Sequence, residues 1–92
     1  MSFGFEPSPN PKNRFQIFVK DLQGRSLTFE VYPDTTVIEL KHMIFTRCQI
    51  AVASQRLLFQ GKQLVDEHTM EFSGIRKGMN ATIHLALRCR GG

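Results

Sequence analysis

Phe15-Gln16-Ile17-Phe18-Val19-Lys20-Asp21-Leu22-Gln23-Gly24-Arg25-Ser26-Leu27-Thr28-Phe29-Glu30-Val31 decides how this chain folds. Phe15, Ile17 and Val19 alternate with Gln16, Phe18 and Lys20, a period of two that turns one apolar face inward. Leu27, Phe29 and Val31 repeat the alternation after Asp21-Leu22-Gln23-Gly24, where Gly24 can take the positive φ that a bulged hairpin needs. Two alternating runs joined by a short glycine-containing turn predict an antiparallel hairpin.

Beyond Val31 the period changes. Pro33 ends the second strand, and Thr36 with Glu39 three residues on forms a capping box at a helix start. Val37, Leu40 and Ile44 then fall at helical spacing and predict one buried stripe, with Cys48 a further turn along. Ile38 and Phe45 lie off that stripe, and a second docking surface competes there with scattered exposed apolar residues. Beyond the helix, Gln55-Arg56-Leu57-Leu58-Phe59 reads as a short strand closed by Gln60-Gly61-Lys62. Leu57 and Phe59 share one face, so Leu58 points outward, on a side of an antiparallel sheet that is normally polar. Leu64, Met70 and Ile75 are isolated apolar residues expected to pin a long loop to the core. A last strand sets Ile83, Leu85 and Leu87 inward or at the edge, with His84 and Ala86 outward.

The remaining sequence flanks this unit. Residues 1–14 carry Pro7, Pro9 and Pro11 at alternate positions, which favours a flexible, poorly packed extension. Arg88-Cys89-Arg90-Gly91-Gly92 is a basic tail whose two glycines, lacking Cβ, fit a channel too narrow for side chains. The net charge of +4 is mild and spread along the chain, favouring acidic protein partners at least as much as nucleic acid. No run approaches a membrane span, and no basic start leads into an apolar secretory segment. Cys48 and Cys89 lack metal-ligand spacing and read as reduced thiols, so we expect a cytoplasmic and nuclear protein with no cofactor.

Residues 15–92 resemble the ubiquitin family from end to end. The resemblance rests on Gln16-Ile17-Phe18-Val19-Lys20, Gln55-Arg56-Leu57, Phe59, Gly61-Lys62-Gln63-Leu64, and His84-Leu85 through Leu87-Arg88 to Arg90-Gly91-Gly92. It implies an α+β class, the ubiquitin-like β-grasp, in which a mixed sheet packs on one helix. It also implies a protein modifier whose Gly92 carboxylate, beside Gly91, is activated with ATP, passed between enzyme cysteines and joined to a target lysine by an isopeptide bond. Every nucleophile then belongs to the activating, conjugating and ligase enzymes, so the chain is the transferred group and not a catalyst.

By the same resemblance Arg56, Arg88 and Arg90 meet the activating enzyme. Arg88 points toward ubiquitin's own activation machinery, because the related Nedd-type modifiers carry alanine there. Leu22, Leu58, His84 and Ala86 take the positions of the family's main recognition patch for receptors with ubiquitin-binding domains. Leu22, Ile50 and Leu87 take those of a second patch. Ala86 stands for a larger valine, and each lost methylene weakens a buried contact by about 0.8 kcal/mol. Lys20, Lys41, Lys62 and Lys77 match lysines that can themselves be modified, while Arg25, Met43 and Arg47 stand where the family has others.

Other departures are local. Ala51-Val52 replaces a proline pair, Ser73 a tyrosine and Phe72 an aspartate, and the segment from Arg76 to Thr82 is longer than its counterpart. Cys89 replaces a leucine that deconjugating proteases read, which puts cleavage by ordinary ones in doubt. The competing function is a non-conjugated adaptor domain that uses the Leu58 patch on ubiquitin receptors or the proteasome. Nucleic-acid binding ranks below both, because basic and aromatic residues are not interleaved.

Overall fold

The computed structural model describes residues 13–87. Strands β1 (Phe15–Lys20) and β2 (Ser26–Val31) form the expected antiparallel hairpin, in register from Phe15↔Val31 to Lys20↔Ser26. Gly24 sits at φ 85°, the left-handed value that the turn requires. Arg14, placed by the sequence in the flexible extension, is held at the mouth of the hairpin by an ion pair to Glu30 at 3.1 Å.

Helix α1 (Val37–Cys48) begins at the expected capping box. The Thr36 amide donates to Glu39 Oε1 at 2.9 Å, and the Glu39 amide donates to Thr36 Oγ1 at 3.3 Å. Val37, Leu40 and Ile44 are fully buried, and Cys48 packs half-buried against the same core. Lys41 is buried too, because its ammonium reaches Asp66 at 2.7 Å.

A single 3-10 turn (Val52–Ser54) leads into β3 (Gln55–Phe59). The sequence reading closed this strand with Gln60-Gly61-Lys62. In the structure only Gln60 and Gly61 form the turn, both at positive φ, and Lys62 opens a further strand, β4 (Lys62–Gln63). A strand this short shows no period and so leaves no trace in hydrophobicity. Strand β5 (Thr82–Leu87) completes a sheet ordered β2-β1-β5-β3-β4. β5 runs parallel to β1 and antiparallel to β3, so the sheet is mixed as expected.

Ile17, Val19, Phe29, Val31, Leu57, Ile83 and Leu85 project from the inner face toward Leu40 and Ile44 of α1. Leu64, Met70 and Ile75 are buried in the same cluster and pin the long segment between β4 and β5. That segment is laced to the start of α1, with Val37 N–H donating to His68 O and Met70 N–H to Thr35 O. One sheet grasping one helix is the β-grasp architecture.

Candidate recognition face and conjugation tail

The outward side of β3 and β5 is where the predicted patch assembles. Register sets Leu58 opposite His84 and Arg56 opposite Ala86, while Lys20 lies beside His84 across the parallel pairing. Leu58 and Ala86 are half-buried, and His84, Arg56 and Lys20 are exposed. Because β1 and β5 run parallel, the chain leaving Lys20 heads toward the Ala86 end of β5. Leu22, 47 % exposed, therefore overhangs that end from the hairpin turn. Leu58, His84 and Ala86 thus share the outward face of the sheet, and Leu22 stands exposed on the adjoining hairpin turn.

The turn carrying Leu22 is held by Asp21. One carboxylate oxygen accepts the amides of Gln23 at 2.9 Å and Arg25 at 2.8 Å, and the other accepts Arg25 Nε at 3.0 Å. Burial by itself pushes this carboxyl's pKa up. The two backbone amides and the Arg25 guanidinium outweigh that effect, and the group lies below its ordinary range. Arg56 is fixed in turn by donating Nε to Gln63 Oε1 at 3.0 Å, across β3 and β4.

The second predicted patch is looser. Leu22 and Ile50 line one groove between the hairpin turn and the end of α1. Leu87, pairing with Gln55, is more than half exposed. Of the lysines, Lys20, Lys62 and Lys77 have exposed positions. Lys41 is buried against Asp66, so its amine reaches a modifying enzyme only if that ion pair opens. Arg88, Cys89, Arg90, Gly91 and Gly92 lie outside the described residues, as does the extension up to Lys12.

On the helix, Phe45 is 45 % exposed, Ile38 is half-buried, and the Lys41–Asp66 pair lies between them. One feature escaped the sequence reading. Gln55 is buried, and its amide donates to Lys41 O at 2.8 Å and Ile50 O at 2.9 Å. Its place in the alternation with Leu57 and Phe59 was the available signal. Phe18 is half-buried on the outward face between Thr28 and Thr82. Phe72 is open to solvent, its ring 4.3 Å from that of His68. Among the described residues no group of three or more His, Cys, Asp or Glu side chains is placed to hold a metal ion. No helix there is long and apolar enough to cross a membrane.

Residues 17–90 match the model of the ubiquitin family. The chain belongs to the ubiquitin family. Ubiquitin-like protein 4A of Rattus norvegicus and that of Mus musculus are each 38% identical over 73 residues, covering 79% of this chain and 45% of the relative. This ubiquitin-like chain therefore spans less than half the length of those relatives. NEDD8-like protein RUB1 of Saccharomyces cerevisiae is 35% identical over 74 residues, covering 80% of this chain and 94% of the relative.

Proposed function

We propose that this chain is a protein modifier, joined to target lysines through Gly92 and recognised non-covalently through the Leu58 face. The observation that carries this reading is the pairing of β5 with both β1 and β3. It puts His84 and Ala86 on the outward side of the sheet beside Lys20, Arg56 and Leu58, on the strand that precedes Arg88-Cys89-Arg90-Gly91-Gly92 in the sequence. One strand thus joins a docking surface to a reactive tail. The match along nearly the whole of NEDD8-like protein RUB1 supports the same reading.

The chain supplies geometry to the chemistry and leaves the reacting groups to its partners. The Gly92 carboxylate becomes an acyl adenylate, with pyrophosphate leaving. An activating-enzyme thiolate then displaces AMP to form a thioester. After transfer to a conjugating enzyme, a target lysine amine displaces the thiol and forms the amide. Arg88, Arg90 and Arg56 anchor the tail and the adjoining sheet by bidentate pairing with carboxylates of the activating enzyme. Ligases and deconjugating proteases complete the proposed set of partners, met in the cytoplasm and nucleus.

The adaptor reading keeps one specific support, the greater length of the ubiquitin-like protein 4A relatives. The deciding experiment is a non-reducing gel after incubation with ATP and a ubiquitin-activating enzyme, with thiol treatment to reverse the shifted band. Deleting Gly92 withdraws the carboxylate by about 3.5 Å, against reacting atoms that must approach within about 3 to 3.5 Å, so the band should vanish. Arg88→Ala should weaken it less. An intact chain that never forms the thioester, yet binds receptors through Leu58, replaces the modifier reading with the adaptor one.

A further inference from the structure

Three ion pairs join described residues: Arg14–Glu30, Arg25–Asp21 and Lys41–Asp66. Outside them, Asp34, Glu67 and Glu71 stand exposed. Folding brings them together, because Glu71 N–H donates to Pro33 O at 2.9 Å and Ile38 N–H to Asp66 O at 3.1 Å. Phe72, next to Glu71 in the chain, is 72 % exposed, with the half-buried His68 ring 4.3 Å from its own. The outward sheet face has the reverse character. There the apolar strip of Leu58 and Ala86 is flanked by Lys20 and Arg56.

We propose that copies of this chain associate head to tail, the Phe72 knob and acidic rim of one copy seated on the Leu58 strip and basic rim of the next. Each face then buries apolar surface that it otherwise leaves in water, and each rim meets the opposite charge. The two faces lie on different sides of one molecule, so the contact is heterologous and propagates as an open chain unless its rotation closes a ring. With so small an apolar centre, the association is weak and salt-dependent. An occupied Leu58 face is closed to receptors, so self-association competes with recognition at high local concentration. None of this depends on conjugation at Gly92. Thioester formation and self-association fail independently.

Sedimentation velocity on the full chain at low ionic strength tests the idea. The sedimentation coefficient should climb with concentration into the millimolar range, and the climb should disappear in about 1 M salt, where screening acts within about 3 Å. Phe72→Glu and Leu58→Glu should each weaken association about tenfold or more. An equimolar mixture of the two variants should form a dimer that grows no further, because each retains the face that the other lost. Lys20→Glu, an exposed change on the same sheet face, repeats the Leu58 arm without touching packing. A single sedimentation coefficient at every concentration overturns the proposal, and so does association that survives both substitutions. A mixture that stays monomeric overturns the head-to-tail arrangement.

Discussion

Gln55 carries its amide into the core, where two carbonyls from different elements take both of its donor hydrogens. Its Oε1 is buried without a partner, so one polar atom already stands uncompensated there. Gln55→Leu removes that orphan but strands the Ile50 carbonyl and loses the tie between α1 and the segment before β3. The net effect should be a loss of about 1 to 3 kcal/mol, read from the urea denaturation midpoint. The inward position of Gln55 was legible from alternation with Leu57 and Phe59. Its partners were not, because they lie on elements that only folding brings alongside. Asp21 makes a second residue-scale case. Its folded pKa lies below the ordinary aspartate value of about 3.9. The carboxylate's stabilisation is therefore complete above that value and is lost as pH falls through the lowered one. In an acid titration of stability, Asp21→Asn should flatten the decline below pH about 4, since the amide oxygen still accepts the turn amides but carries no charge. A titration identical to the parent's would remove Asp21 from the acid response.

The elements that were legible are those whose periodic run exceeds a few residues. Hairpin β1–β2 and helix α1 announced themselves by alternation, by helical spacing and by the Thr36–Glu39 box. Strand β4 and the 3-10 turn are too short for either period. The end of α1 was also silent, and for an instructive reason. Gln49 closes the helix in the left-handed region at φ 59°, its N–H donating to Phe45 O at 2.8 Å. Glycine usually takes this position, and an L-residue there costs roughly 1 to 2 kcal/mol. Gln49→Gly should relieve that strain, offset by greater freedom of the unfolded chain and by loss of the exposed Gln49 Nε2 bond to Thr46 O at 3.1 Å. We expect a net gain of about 0.5 to 1 kcal/mol, seen as a higher denaturation midpoint with unchanged slope. A lower midpoint would show that the side-chain bond matters more than the backbone strain.

At the scale of the whole molecule, the sequence carried the topology but not the meeting of the Pro33–Asp34 turn with Glu71. The exchange of an aspartate for Phe72 was visible, whereas the acids around it gather only when Pro33–Ile38 is laced to Asp66–Phe72. The outward placement of Leu58, His84 and Ala86 was legible because strand alternation and family resemblance agree on it. Strand β5 concentrates both roles, since it lies between β1 and β3 with one side to the core and the other to solvent. Ile83 is fully buried while its neighbour His84 is exposed on the candidate docking face. Ile83→Ala should cost about 2 to 5 kcal/mol, a large share of the roughly 5 to 15 kcal/mol that holds a domain folded. Receptor binding, measured by calorimetry where the variant remains folded, should hardly change. His84→Ala should do the reverse, leaving the denaturation midpoint within about 0.5 kcal/mol of the parent while weakening binding. If both substitutions lowered stability and binding together, the outward face would be part of what holds the fold, and the separation of scaffold from docking surface along one strand would be wrong.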